Sequence, residues 1–305
     1  MNNSSPPLKV WFFSVGLILM LLSLSAIFIT SSEKADSIKA EKTALEVKDL
    51  IKKSGIGHTK DANSTTSIIF LGSSLTRHAL YNFEETEKLF TLNPKSKTTI
   101  LKLAINGLSY EELKESKTLE YITKSPPDYL FIESNHINIE NKSHDGKFKL
   151  LSFYLNNLVL IARKIFNGLE DEFKKIFEAT PEDPFFTGNF NKDHFAQILL
   201  IKREVRPFSQ NKEVNKAYAE LIKRKTKIIF LDMPRASKLD RVWLNSTQKK
   251  ELQTLLQAYK QSYNIEYWKY PYSLKDSDFI DGGHLNSKGA KKYQKWLATQ
   301  FKLFR

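Results

Sequence analysis

Cysteine is absent from this chain of 305 residues. Its absence excludes disulfides, thiolate nucleophiles, iron–sulfur clusters and cysteine-ligated zinc, but it selects no redox compartment. Glycine (11) and proline (10) are too scarce for a low-complexity chain, and no internal repeat is present. A hydrophobic fraction of 41% with 27% charged residues is ordinary globular usage and excludes a disordered or fibrous protein. The length accommodates one large domain or two small ones.

Acidic residues are also in deficit, with 34 against 47 basic residues and a net charge of +13. A charge of this sign favours anionic lipid or polymer as a partner, although a merely solvated lysine-rich surface would give the same count. Nucleic acid is not expected, because the lysines are dispersed and no nucleic-acid-binding motif is present.

Charged residues are missing altogether from 10–30, a run of 21 residues that follows a short tail at 1–9. As a helix, this run would span about 31 Å, the thickness of a bilayer's hydrocarbon core. We expect a single-pass anchor in the cytoplasmic membrane; the alternative is a cleaved signal peptide with Ser23 or Ser25 near the cleavage site. Lysines downstream of the run favour a cytoplasmic catalytic side, but long domains translocate largely regardless of such counts.

Residues 31–65 are polar and are predicted to form a juxtamembrane helix and linker, and 66–305 the main domain. There, strand-like and helix-like segments alternate, which predicts an α/β fold with a parallel sheet of about five strands and helices on both faces. The predicted strands are Ser67–Leu71, Thr98–Ile105, Asp128–Glu133, Lys227–Asp232 and Asn264–Tyr270. The predicted helices are Leu75–Phe90, Tyr110–Thr123, Lys212–Arg224 and a last one that runs through Trp296.

A helical insertion is expected at about 140–211. Its segment Lys149–Phe166 is rich in Leu, Ile and Phe but carries Arg163 and Lys164, which argues against a second membrane span. Two interpretations remain open: an ordinary packing helix, and a surface for a membrane or a partner protein.

Ser74 follows the first strand directly, in the sequence Gly72-Ser73-Ser74-Leu75, and helical sequence comes after it. A serine at a strand-to-helix turn presents its hydroxyl above the sheet, close to free backbone N–H groups and the positive end of a helix. An ordinary helix N-cap would show the same pattern.

Asp281 and His284 lie three residues apart in a glycine-rich loop near the end of the chain. Such a loop can fold back, so that the carboxylate reaches the imidazole, fixes its tautomer and stabilises its charged form. A histidine in a glycine loop is otherwise an ordinary surface residue.

Two further strand ends carry Gly107 and Asn135. A glycine N–H and an asparagine amide at neighbouring strand ends could join the Ser74 N–H as donors to a developing oxyanion. Either residue could also be a simple turn residue.

Together these residues resemble the SGNH (GDSL-type) hydrolase superfamily. Ser74 stands in the nucleophile position, Gly107 and Asn135 match the glycine and asparagine of the second and third blocks, and Asp281-x-x-His284 matches the acid and base of the last block. The resemblance covers about 66–136 and 226–302 and leaves the insertion unmatched. It implies a flavodoxin-like three-layer sandwich with catalytic Ser74, Asp281 and His284, and an oxyanion hole of Ser74, Gly107 and Asn135.

The sequence departs from the family pattern at three positions. Ser73 replaces the usual aspartate, Glu133 stands where the third block usually has glycine, and His136 where it often has aspartate. These departures put the substrate class in doubt. Ser73, His78 and His136 are candidate pocket residues. No metal or cofactor is required.

The resemblance and the expected anchor together imply a membrane-anchored serine esterase or O-acyltransferase. Its substrate would be acyl, most often acetyl, esters of an envelope polysaccharide, and the catalytic domain would lie on the periplasmic or extracytoplasmic side. A multi-pass membrane O-acyltransferase is a possible partner. Two alternatives remain: a membrane-associated lipase or thioesterase, and a non-catalytic partner that retains the SGNH scaffold.

Overall fold

The computed structural model describes residues 8–29, 32–56, 65–81, 83–91, 97–105, 108, 110–134, 138–142, 190, 192–199 and 202–304. The strands are β1 (Thr65–Gly72), β2 (Lys97–Ala104), β3 (Tyr129–Glu133), β4 (Ile139–Lys142), β5 (Lys202–Val205), β6 (Lys227–Asp232) and β7 (Glu266–Lys269). The helices are α1 (Leu8–Ile29), α2 (Ser32–Ser54), α3 (Ser74–Ala79), α4 (Phe83–Phe90), α5 (Tyr110–Glu115), α6 (Thr118–Lys124), α7 (Lys192–Leu199), α8 (Lys212–Lys223), α9 (Ser237–Trp243), α10 (Ser246–Tyr263) and α11 (Ser287–Phe304).

Five strands form one sheet in the order β2-β1-β3-β6-β7, and every neighbouring pair is parallel. The three central strands, β1, β3 and β6, each carry a run of four buried apolar residues because both faces of a parallel sheet are covered. The order is that of a doubly wound, flavodoxin-like sheet, in which ligands bind beyond the carboxyl ends of the strands. The predicted α/β class, the parallel pairing and the number of strands are confirmed.

Helices cover both faces of this sheet. On one face, Phe131 of β3 contacts Phe301 of α11, with ring centroids 5.9 Å apart. On the other face, Phe230 of β6 contacts Tyr259 of α10, with centroids 5.0 Å apart. All four rings are buried. Because successive strand residues point to opposite faces, each strand contributes to two separate hydrophobic cores.

The predicted helix Leu75–Phe90 is two helices, α3 and α4. Helix α3 ends at Ala79. The N–H of the next residue, Leu80, donates to the Thr76 carbonyl, and both Leu80 and Tyr81 are buried in the core. The Lys102 ammonium donates to the freed Leu80 carbonyl at 2.8 Å. The segment contains neither glycine nor proline, and the break falls where the side chains of Leu80 and Tyr81 are buried.

The second helix contributes to the core through its carboxyl-terminal half. Val47 and Ile51 of α2 are buried in the core on the α8–α10 face of the sheet, together with Ile56. Part of the segment that the sequence assigns to the linker is therefore packed on the sheet.

The chain divides into two compact units, one of Met1–Glu41 with Asp145–Gly168 and one of Lys42–His144 with Leu169–Arg305. The run 10–30 lies mostly in α1 of the first unit. Among the residues that the structure describes, no helix meets the length and apolarity that a membrane crossing requires. The predicted anchor is therefore not confirmed.

Of the predicted insertion at 140–211, the described parts include β4, β5 and α7. Strands β4 and β5 pair antiparallel as a separate two-stranded ribbon, with Ile139 opposite Val205. The segment Lys149–Phe166, and both interpretations of it, lie outside the described residues.

Candidate active site

The Ser74 hydroxyl lies at the carboxyl edge of the sheet, at the turn between β1 and α3. Ser73 caps α3: its backbone is extended (φ −102°, ψ −160°) and its Oγ accepts the Leu75 N–H at 3.1 Å. Ser74 is the first helical residue, so its side chain projects from the start of the helix.

Gly72 is required at this turn because of space. A Cβ on Gly72 would lie 1.9 Å from Thr76 Oγ1 and 2.7 Å from Glu133 Oε2. Because the φ angle of Gly72 is not positive, glycine is needed here for the close approach of Thr76 and Glu133 and not for a left-handed backbone conformation.

Ser74 is joined to His284 and Asp281 by an unbroken chain of hydrogen bonds. Ser74 Oγ lies 2.8 Å from His284 Nε2, and His284 Nδ1 lies 2.7 Å from Asp281 Oδ2. Because a carboxylate only accepts, Nδ1 carries the proton and Nε2 is left to accept the serine hydrogen. The structure thus brings the three residues of the predicted triad together, in the tautomer that base catalysis requires.

Asp281 is held by the loop that carries it. Its Oδ1 accepts the backbone N–H of His284 at 2.8 Å and that of Gly283 at 3.1 Å, and the residue is almost fully buried. Burial alone would raise the pKa of the Asp281 carboxyl, but the hydrogen bonds from the His284 ring and from these two N–H groups hold that pKa well below its usual range. The carboxylate is therefore charged and oriented toward the imidazole.

The glycine loop is fixed on several sides. Ile280 N–H donates to the His284 carbonyl, and Ala236 N–H to the Gly282 carbonyl, both at 2.8 Å. Gly282 has a φ of +86°, and a Cβ there would lie 2.5 Å from the Phe195 ring. The loop therefore folds back as predicted, and it is clamped by the residues before α9 and by α7.

His78, which the sequence predicts as a pocket residue, lies next to the His284 imidazole. The ring centroids of His78 and His284 are 4.8 Å apart, and His78 Nδ1 donates to the Leu285 carbonyl at 3.3 Å. Burial, followed by the charges of His284 and Arg77, lowers the pKa of His78 to about 3. His78 is therefore neutral near pH 7.

Glu133 is the residue that sequence reasoning noted only as a departure from the family pattern. Its carboxylate lies beneath the Ser74 turn and accepts the Ser73 N–H at 2.9 Å, the Ser73 Oγ hydrogen at 3.0 Å and the Thr76 Oγ1 hydrogen at 2.7 Å. Ser73 therefore faces this buried carboxylate. The signal in the sequence was an ionisable residue ending an otherwise apolar strand.

Three of the predicted site residues, Gly107, Asn135 and His136, lie outside the described residues. The oxyanion hole of Ser74 N–H, Gly107 N–H and the Asn135 side chain thus stays a prediction. In the described part of the chain, no group of three or more His, Asp or Glu side chains is placed to hold a metal ion.

Comparison with known proteins gives structural neighbours only. No protein-family model and no curated protein matches the chain. It is similar to a Bacteroides fragilis protein described as an acylhydrolase (13% identity, 83% of this chain and 94% of the other, TM-score 0.38). It is also similar to a GDSL-like lipase of Bacteroides thetaiotaomicron, with 12% identity over 79% of this chain and 89% of the other and a TM-score of 0.36. A third neighbour is the periplasmic domain of a lipopolysaccharide acetyltransferase of Salmonella Paratyphi A, with 12% identity over 80% of this chain and 85% of the other and a TM-score of 0.35.

Proposed function

We propose that this protein is a serine-dependent enzyme that breaks or transfers acyl esters through an acyl-Ser74 intermediate. The observation that carries the proposal is the continuous chain of hydrogen bonds from Ser74 Oγ through His284 to Asp281. A serine hydroxyl is a weak nucleophile unless an adjacent base removes its proton, and here the base is in contact and oriented by a third group.

The first half-reaction follows from these contacts. Ser74 Oγ attacks the ester carbonyl as His284 Nε2 takes its proton, and Asp281 stabilises the imidazolium that forms. Collapse of the tetrahedral intermediate breaks the ester bond, and the imidazolium returns its proton to the leaving alcohol. The acyl group is then on Ser74. In the second half-reaction, water or a sugar hydroxyl attacks the acyl-serine as His284 takes its proton. The bond between the acyl group and Ser74 Oγ then breaks, and the imidazolium returns the proton to Oγ.

The basic charge and the apolar run support a more specific proposal. A membrane anchor at 10–30 and a net charge of +13 would keep the catalytic domain near anionic lipid or polymer. We therefore propose an envelope polysaccharide as the substrate, an extracytoplasmic catalytic domain, and a multi-pass membrane O-acyltransferase as partner.

p-Nitrophenyl acetate tests the chemistry, because it acylates an activated serine whatever the natural acceptor is. We expect the full chain to release p-nitrophenolate, either continuously, as for a hydrolase, or as a burst of one per chain that then stops, as for a transferase without its acceptor. Ser74→Ala should abolish both patterns. Ser246→Ala is the matched control, since Ser246 is also the first residue of a helix. Release from wild type no faster than from Ser74→Ala would contradict the proposal.

The absence of cysteine allows a direct test of location. Lys291→Cys introduces a single thiol at an exposed position of α11. In intact cells, a membrane-impermeant maleimide should label this thiol, and the protein should remain in the carbonate-washed membrane fraction. Labelling only after lysis, or recovery in the soluble fraction, would contradict the extracytoplasmic or the anchored part of the proposal.

A further inference from the structure

Glu133 occupies a place from which it can control the nucleophile without touching a substrate. It is the last residue of β3, which lies beside β1 in the sheet, and only 1% of the residue is exposed. The donors to its carboxylate described above belong to Ser73 and Thr76, the residues one before and two after Ser74. The carboxylate therefore holds the turn on both sides of the serine.

The hydroxyl of Ser73 extends this hold into the helix. It donates to Glu133 and, through its lone pairs, accepts the Leu75 N–H at 3.1 Å. A relay of hydrogen bonds thus runs from β3 through Ser73 to the first turn of α3. Any displacement of the carboxylate would be passed to the backbone on both sides of Ser74.

The space at Gly72 also depends on the Glu133 carboxylate. A Cβ on Gly72 would collide with Glu133 Oε2 and with the Thr76 hydroxyl that donates to it. The glycine thus leaves room for the carboxylate and its partner. Ser73 and Thr76 donate hydrogen bonds to Glu133, Gly72 leaves space for its carboxylate, and Ser74 lies between these residues in the chain.

Burying a carboxylate is costly, and the donors of Ser73 and Thr76 offset that cost. What a carboxylate adds is a fixed geometry: it accepts several hydrogen bonds at once and donates none.

We infer that Glu133 is a positioning residue that holds the Ser74 turn so that Ser74 Oγ lies within hydrogen-bonding distance of His284 Nε2. This inference rests on the proposed function, because it assigns a role in activating Ser74. Catalytic rates depend steeply on such distances: a misplacement of about 1 Å lowers the rate on the order of a hundredfold.

Glu133→Gln is the informative variant, because it keeps the size of the side chain but replaces one acceptor oxygen by an N–H₂ group, which cannot accept the hydrogens that Ser73 and Thr76 now donate. The readout is the second-order rate of fluorophosphonate labelling per folded molecule, followed by intact mass, at a temperature well below the melting transition. We expect a ten- to hundredfold fall. For p-nitrophenyl acetate, kcat should fall while KM is unchanged, because Glu133 does not contact the substrate. A purely structural role would lower the folded fraction but not the rate per folded molecule.

Glu112→Gln is the matched control, since Glu112 is also buried but lies on α5 and is hydrogen-bonded to Thr43 rather than to the turn. Its labelling rate should stay within twofold of wild type. Thr76→Val removes the hydroxyl that donates to Glu133 and should lower the labelling rate three- to tenfold. Combined with Glu133→Gln, it should cost less than the product of the two single effects, because both remove the same hydrogen bond.

The outcomes separate the inference from the proposed function. If wild type is labelled and Glu133→Gln is labelled within twofold of it, the inference is overturned and the proposed function stands. If wild type is not labelled at all, the proposed function fails and the inference with it. If Glu133→Gln does not fold, Thr76→Val and Ser73→Ala decide: unchanged labelling in both overturns the inference.

Discussion

Replacing Asp281 by asparagine should disable the site while leaving its shape almost intact. Asp281 Oδ1 accepts two backbone N–H groups, from His284 and Gly283, whereas Oδ2 faces His284 Nδ1. In Asp281→Asn, the two N–H donors keep the amide oxygen on their side. The amide nitrogen is then placed opposite His284 Nδ1.

An amide nitrogen at that place donates to Nδ1 and so selects the imidazole tautomer that carries its proton on Nε2. Nε2 then cannot accept the Ser74 proton. In serine proteases with the same arrangement, the corresponding change lowers kcat by about 10⁴. We expect a loss of the same order in the labelling rate, equivalent to about 5.4 kcal/mol in transition-state free energy at about 1.36 kcal/mol per tenfold.

The assay is the rate of fluorophosphonate labelling of the full chain, corrected for the folded fraction. The matched control is Asp276→Asn, an exposed aspartate of the same segment, which should be labelled at the wild-type rate. A loss of less than tenfold in Asp281→Asn would refute the proposed role of the carboxylate in setting the tautomer.

Three further predictions address the surroundings of the triad. Gly72→Ala should destabilise the fold by about 3 kcal/mol or more in denaturant melts, because its Cβ would lie 1.9 Å from the Thr76 hydroxyl oxygen. Gly283→Ala is the control and should be tolerated, because the nearest atom to its Cβ would be 3.6 Å away. Equal effects of the two substitutions would contradict the steric account. In the folded protein His78 stays neutral down to about pH 3, whereas in the unfolded chain it takes up a proton below about pH 6.5. Acidification from about pH 7 to 5 should therefore lower the free energy of unfolding of wild type by about 2 kcal/mol more than that of His78→Gln. Equal losses in the two proteins would contradict this. Lys292→Met removes the ammonium that lies 2.8 Å from both oxygens of the fully buried Asp278 and should cost about 1–3 kcal/mol in the same melts; an unchanged stability would refute the importance of this pair.

The sequence predicted the sheet and the triad for a common physical reason. Apolar strands of a parallel sheet end at one edge, so Ser74 after the first strand and the glycine loop after the last were expected to meet there. The spacing of Asp281 and His284 and the glycines between them were enough to predict the return of the loop.

Other features depend on contacts that a linear pattern does not contain. The role of Glu133 requires β1 and β3 to be neighbours and the carboxylate to reach under the turn. The break between α3 and α4 falls where Leu80 and Tyr81 are buried, which the helical pattern of the segment does not reveal. Helix α10 was absent from the predicted helices although a signal was present, since Asn245 and Gln248 form a capping box at its start.

The most direct test of the central claim is to map the fluorophosphonate adduct by peptide sequencing. The account predicts one adduct per chain, on Ser74, which disappears in His284→Ala even though the serine is retained. An adduct on another residue, or none on the folded full chain, would contradict the claim that Ser74 is an activated nucleophile.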